Sequence, residues 1–410
     1  MANSTGLPLS ISCLCGSSKQ TVFTAGNLGS QDGGAILCHC DSCRYSTGLL
    51  CTSYLRIAAP KPAALETLIE YASPSARSSR WFCGTCGCHV FQALGATGSS
   101  TSAQVWQVAT GVIIGPSRTE QPLPEGALGA SPGWRHQHIQ DTKDGGISIW
   151  LGGQETQATT AQVHPSGSVA PVEPPRDETE TLAASCLCSN VRFSITRPDE
   201  SSTLARSTFP DLMLAYCRTP KETLANAGDT KWWLQACGTK YLAGTCACRS
   251  CRLISGFEIQ TWAFIPRSNM SFHVPSPSAG AATPLALDFA TLPPGILQSY
   301  ESSPGVVREF CPRCGATVFW HDRWRPDLVD VSVGLLRAPE GARAERWLRW
   351  WTDRVSFAED TETQRHGEVA RWARRLVDGL AEGLRAQGGR GRDGVVPSML
   401  RTAGSQASCV

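Results

Sequence analysis

Three cysteines within six residues occur twice in this chain. They stand as Cys38-His39-Cys40-Asp41-Ser42-Cys43-Arg44 and, 208 residues later, as Cys246-Ala247-Cys248-Arg249-Ser250-Cys251-Arg252. Each block lies between an upstream Cys-x-Cys (Cys13 and Cys15; Cys186 and Cys188) and a downstream Cys-x-x-Cys (Cys83 and Cys86; Cys311 and Cys314). The repeat requires distant thiols to converge twice, which points to two zinc modules in tandem. Fourteen of the 19 cysteines fall into these spacings. With no secretion-type leader in view, metal explains that pattern better than disulfides do.

Composition narrows the fold class. The 410 residues include 39 glycines and 26 prolines, which favours short strands and many turns over a helical bundle. Thirteen tryptophans and 12 phenylalanines suffice for two aromatic-anchored cores. The formal charge of +2 calls for no nucleic-acid partner. Fourteen thiolates holding four divalent ions would bring it to about −4, further from a polyanion binder. No apolar run is long enough to span a bilayer, so a cytoplasmic protein is expected.

Residues 8–154 read as a first zinc module and 182–358 as a second, joined by a Thr-, Ala-, Pro-, Ser- and Glu-rich linker at 155–181. Strands are expected at 19–25, 66–71, 80–82, 90–91, 105–114, 146–151, 191–195 and 331–336 from apolar alternation. The three cysteine blocks are displaced by 173, 208 and 228 residues between modules. The second module therefore carries 35 extra residues before its triple block and 20 after it. The first insertion, roughly 197–236, is long for a bare loop and suits a lid or an intermodule surface. Trp232 and Trp233 near its end suggest that it packs down.

Val369, Trp372, Leu376, Leu380 and Leu384 recur at helical spacing, predicting an amphipathic helix over 359–387. It reads as a packing surface, with Arg371, Arg374, Arg375 and Arg385 leaving membrane association as the alternative. Residues 388–410 read as a disordered tail.

The chemistry of the two kinds of cysteine group differs. Cys13, Cys15, Cys83 and Cys86, and likewise Cys186, Cys188, Cys311 and Cys314, each supply four soft thiolates, suited to a closed tetrahedral zinc. Cys38, Cys40 and Cys43, and Cys246, Cys248 and Cys251, have no fourth partner common to both copies. Three ligands leave an open position at which zinc binds a water or a substrate atom. Two zinc ions per module are therefore expected. A three-thiolate zinc carries net charge −1, and its natural guest is another thiolate. His39 and Asp41 are candidate proton carriers, and Arg44 and Arg252 candidate partners for a substrate carboxylate. The alternatives are that the arginines serve structure, that His39 orients a ligand, and that Cys51, Cys88, Cys217 or Cys237 completes the coordination.

The order Cys-x-Cys, Cys-x-Cys-x-x-Cys-Arg, Phe-Cys-x-x-Cys-Gly, present twice, resembles the CENP-V/GFA family, named for the glutathione-dependent formaldehyde-activating enzyme. The second copy adds Gly256, Trp262, Pro266, Ser302 to Gly305, Phe310 to Phe319 and Asp327 to Val331; the first adds Ser46 to Gly48 and Phe82 to Phe91. The resemblance implies a mainly β architecture, two tandem Mss4-like zinc-binding domains, here with a short C-terminal helical extension. It also implies a structural zinc at each quartet, a labile zinc at each trio, and carbon–sulfur lyase activity on a thiol adduct, with glutathione as cosubstrate. The histidine frequent between the first two trio ligands is retained as His39 and replaced by Ala247. A non-catalytic zinc scaffold binding a protein or chromatin partner is the alternative function. Contact between the modules and a homodimer are both compatible with the sequence.

Overall fold

In the computed structural model, the residues described are 6–25, 34–72, 78–95, 104–117, 122–129, 133–155, 180–274 and 283–390. Most of the expected linker and the segment 391–410 lie outside them. Two mixed sheets share one plan. In the first, the strand order is 154–155, 135–137, 36–38, 52–56, 105–109, 89–94, 78–83, 68–72. In the second it is 234–235, 240–246, 260–266, 328–332, 317–322, 306–310, 298–303. In both, a short strand (135–137 or 348–350) joins the strand leading into the triple block in parallel. Each module adds a small antiparallel sheet, of three strands in the first and four in the second.

Five α-helices complete the described elements: α1 (Asp41–Thr47), α2 (Ser148–Leu151), α3 (Lys221–Leu224), α4 (Arg249–Ser255) and α5 (Gly367–Arg390). The architecture is mainly β with a C-terminal helix, as the repeat implies. Three strand expectations are corrected. Residues 146–151 turn into α2, because Ile147, Trp150 and Leu151 recur at helical spacing and all three are buried. The runs 105–114 and 331–336 both break into a 3₁₀ turn, at Thr110–Val112 and Val333–Leu335.

Those turns exist for the sake of the interface. The modules face each other about a pseudo-two-fold axis, and equivalent residues make equivalent contacts. Gly111 donates its N–H to the Gly256 carbonyl at 2.9 Å, and Gly334 donates to Gly48 at 3.2 Å. A Cβ on Gly111 would stand 2.3 Å from the Gly256 carbonyl carbon, and one on Gly334 2.3 Å from the Leu49 oxygen. Only glycine allows so close an approach. Leu14 donates to Leu253 at 3.1 Å while Leu187 donates to Tyr45 at 2.8 Å. One apolar core runs through both modules, joining Leu37, Phe91 and Val108 to Phe193, Ile265, Phe319 and Val331.

The helix α5 follows the second module in sequence but docks on the first. Its stripe of Val369, Trp372, Leu376, Leu380 and Leu384 is buried. Trp372 meets Trp134 edge-on at 5.8 Å, Glu368 accepts the Gly126 N–H at 3.1 Å, and Gln387 bonds the Trp150 indole. The apolar face foreseen for a packing surface is thus spent inside the chain. Among the described residues no helix is long and apolar enough to cross a membrane.

The insertion before Cys246 folds down as foreseen. Trp232 and Trp233 are fully buried in a small core of their own with Leu212, Leu242 and Phe264, and their indoles donate to Thr208 at 2.9 Å and Ser202 at 3.0 Å. Asp211 pins it to the 354–357 segment, accepting from Phe357 N at 2.6 Å, Ser356 Oγ at 3.1 Å and Arg354 Nη2 at 3.0 Å.

Candidate metal centres and the cleft of the second module

The fourteen thiols gather into two quartets and two trios, with all sulfurs of each group within 4.8 Å of one another. Each quartet joins a Cys-x-Cys turn to the turn after the strand next to the sheet edge, 78–83 or 306–310: Cys15 and Cys83 sulfurs are 3.5 Å apart, as are those of Cys188 and Cys311. Tetrahedral zinc with bonds of about 2.3 Å places its sulfurs about 3.8 Å apart, so the quartets fit such an ion with little adjustment. One thiol in each, Cys13 and Cys188, is held far below the ordinary thiol range by its sulfur neighbours. That is the charge state a divalent cation needs.

Each trio is built on a helix N-terminus. The last strand residue, Cys38 or Cys246, supplies one sulfur, and the helix cap, Cys40 or Cys248, supplies the second. The cap sulfur accepts the N–H of Cys43 or Cys251, at 3.3 Å in both modules. The third sulfur, Cys43 or Cys251, lies in the first turn. Cys43 is depressed well below a normal thiol by hydrogen bonds from Cys38 and Cys40, with Arg80 adding to the effect. Cys248 is depressed in the same way by Cys246 and Cys251, with help from Arg308.

Arg80 and Arg308 are the residues that sequence reasoning missed. Both are buried, and their guanidiniums reach Cys43 Sγ at 3.1 Å and Cys251 Sγ at 3.5 Å. Arg308 also donates to Ser250 at 3.0 Å. The signal was present: each arginine stands three residues before its Cys-x-x-Cys. A buried guanidinium beside thiolates offsets their charge and orients them.

The candidate proton carriers and carboxylate partners lie elsewhere. His39 is fully buried, and its Nε2 is 2.8 Å from His136 Nδ1, while His136 Nε2 donates to the Gly152 carbonyl at 2.7 Å. Burial, reinforced by His136 and Arg44, pushes His39 down to about 3, so the ring is neutral. Asp41 faces outward and pairs with Arg44 at 2.5 Å. Arg252 is buried in the module interface, donating to the carbonyls of Gly111 at 2.6 Å and Thr363 at 3.1 Å. Its guanidinium is committed to backbone oxygens, and the arginines that line the cleft are Arg308 and Arg325.

The second trio opens into a cleft of about 470 Å³. Trp262, Trp320 and Phe357 pack directly against its sulfurs as an apolar cluster separate from the main core. The insertion contributes to the lining through Ser207, Thr208, Pro210, Asp211, Leu212 and Tyr216. Asp330 lines the floor, bonded to Arg325 at 2.7 Å. Burial raises Asp330 to about 6 against the opposing pull of Arg325. Among the described residues no fourth His, Cys, Asp or Glu joins either trio, and Cys51, Cys88, Cys217 and Cys237 stand apart from both.

A family model described as glutathione-dependent formaldehyde-activating enzyme matches residues 8–123 and 233–354; the first match takes in a whole quartet and trio, the second a trio with Cys311 and Cys314, Cys186 and Cys188 lying before it. Comparison with curated proteins and with solved structures finds no match. The two matches cover more than half of the chain; the second spans every strand of the second large sheet, and the first spans all of the first large sheet but its strands 135–137 and 154–155. The chain therefore belongs to the glutathione-dependent formaldehyde-activating enzyme family, a glutathione-related family of enzymes, and carries the family's domain twice.

Proposed function

We propose that this chain is a zinc-dependent carbon–sulfur lyase, or a closely related enzyme, acting on a thiol adduct in the cleft of the second module. One observation carries the reading: the Cys246, Cys248 and Cys251 trio faces a cleft walled by Trp262 and by the insertion, and among the described residues no fourth His, Cys, Asp or Glu joins it. Zinc held there supplies Lewis-acid stabilisation to a substrate sulfur. Arg308 keeps Cys251 oriented, and the apolar cluster keeps water away from the sulfurs.

Cleavage of a hemithioacetal is not a redox step. The hydroxyl proton leaves, its O–H pair becomes the second bond of the new carbonyl, and the C–S pair departs with sulfur as a thiolate. Asp330 is the group we assign to accept that proton, since it lines the cleft and is ionised at neutral pH. His39, Asp41, Arg44 and Arg252 act in this reading as positioning residues for the two triple blocks. The reaction suits the cytoplasm, where thiols are kept reduced.

The test uses the full chain loaded with zinc and a panel of thiol adducts that includes S-hydroxymethylglutathione. Aldehyde release is expected, and it is expected to vanish in Cys251→Ser and to fall in Asp330→Asn. Absence of turnover across the panel, with all four metal sites filled, would leave a zinc scaffold instead.

A further inference from the structure

The cleft of the second module departs from its pseudo-symmetric counterpart in what it presents to a guest. Counting along the paired strands, Trp262 occupies the place of Tyr54 in the first module, and Trp320 the place of Gln92. Phe264 and Phe357 extend the aromatic wall, Tyr216 from the insertion meets Phe357 edge-on at 5.6 Å, and Trp324 stands at the rim with 62 % of its surface exposed. The Arg323 guanidinium stands 4.7 Å from the centroid of that indole, whose remaining surface is open at the cavity mouth. The volume is that of a site for a drug-sized ligand, far beyond what a hydroxymethyl group fills.

The charges are equally specific. The lining carries four carboxylates, Asp211, Asp322, Asp330 and Asp360, against two guanidiniums, with Arg354, outside the lining, paired to Asp211 at 3.0 Å. Both guanidiniums are engaged: Arg308 with Cys251 and Ser250, Arg325 with Asp322 at 3.2 Å and Asp330 at 2.7 Å. A three-thiolate zinc adds a further negative charge. Glutathione brings two carboxylates and one ammonium, a net negative charge, into such a field, where both lining guanidiniums are already engaged. A flat uncharged group would lose nothing to that field and would gain the aromatic wall.

We infer that the second-module cleft selects a thiol adduct whose organic part is an uncharged aromatic group, in preference to a glutathione adduct. The inference rests on the reading of this cleft as a thiol-adduct site and specifies its substrate class. The sulfur meets the trio, the ring lies between Trp262 and Phe357, and Trp324 covers its outer edge.

Phenylmethanethiol and glutathione serve as probes with the zinc-loaded full chain. Binding is read by quenching of tryptophan fluorescence and, separately, carbon–sulfur exchange of each thiol's formaldehyde adduct is read by NMR. Phenylmethanethiol is expected to bind at least about tenfold tighter than glutathione. Trp324→Ala, on an exposed side chain, should weaken phenylmethanethiol by about two- to tenfold and leave glutathione unchanged. Equal or tighter binding of glutathione, or no binding of either thiol, overturns the inference. Selective binding of phenylmethanethiol without exchange of any adduct upholds the selectivity while removing the lyase reading. Exchange of both adducts with no preference in binding does the reverse.

Discussion

Arg80 sets its Nη2 3.1 Å from the Sγ of Cys43, and both groups are buried. The same pair recurs as Arg308 and Cys251. A cation so placed lowers the cost of assembling three thiolates in one spot and fixes the direction of one of them. Replacing it with methionine keeps much of the volume and removes the charge. Arg308→Met is expected to weaken zinc at the second trio by about 10- to 100-fold while leaving both quartets loaded. Competition with a chromophoric chelator, alongside metal analysis of the retained zinc, checks this; equal loss from the quartets would contradict it.

Asp330 predicts a pH profile. Its pKa is raised to about 6 by burial, so the carboxylate is protonated as pH falls through that value and can no longer accept a proton. Turnover should therefore decline on the acid side with a midpoint near 6, and Asp330→Asn should lower kcat and abolish that limb. Folding carries the opposite sign to that of an ordinary ion-paired acid. Between the unfolded carboxylate value of about 4 and the folded value of about 6, the native state binds the extra proton. The Asp330 contribution to stability should thus diminish as pH rises across that window, and chemical denaturation at several pH values would show it.

Metal removal should expose two classes of site. A quartet closes the start of its module onto the middle, so its binding energy is folding energy, on the order of 10 kcal/mol. The first quartet's turn also touches the other module, with Gln298 donating to the Gly84 carbonyl at 2.7 Å. Tyr71 of the first module is raised to about 12 by burial and by the thiols of Cys314, Cys188 and Cys186 of the second. Tyr300 is raised in turn by burial and by Cys15, Cys86, Cys13 and Cys83. Four zinc ions per chain are expected in reduced protein. A chelator should take the two trio ions first with the fold intact, then the two quartet ions together with cooperative unfolding. Independent loss of the quartet ions would break the proposed coupling.

The buried ion pair of Arg365 with Glu258 sits in the module interface at 2.7 Å, with both side chains fully shielded. Thr110 donates to the second Glu258 oxygen at 2.8 Å. Removing one charge strands the other, so Glu258→Gln is expected to cost about 3–5 kcal/mol of stability. The trio sulfurs are untouched by this change, and zinc content should remain at the wild-type value in protein kept below its lowered Tm.

Gly334→Ala tests the close approach itself. Its new methyl group would stand against the Leu49 carbonyl, forcing the modules apart. A loss of about 2–4 kcal/mol is expected, read as a fall in Tm with both modules affected in one transition.

The metal groups were legible because their spacing is local. Cys-x-Cys and Cys-x-x-Cys place sulfurs on one turn, and the order of blocks fixes which turns must meet. The insertion was legible as a length difference between two otherwise parallel copies. Arg80 and Arg308 escaped because an arginine inside a strand carries no period, and only alignment of the two copies reveals it. The strand assigned to 146–151 failed because a six-residue apolar stretch fits both periods, and Ile147, Trp150 and Leu151 belong to the helical one. The interface left almost no trace in the sequence, since glycine backbone meeting glycine backbone involves no side-chain pattern. His39 and Arg252 were chosen for their chemistry, and burial assigned them other partners.

The docking of α5 on the first module has a consequence for how the polypeptide is made. The N-terminal half leaves the ribosome hundreds of residues before the segment that covers Trp134 and Trp150 exists. Until residues 367–390 emerge, those indoles lack their α5 partners, so maturation of that half waits on synthesis of that segment. A chain cut short before residue 367 would damage the portion synthesised first.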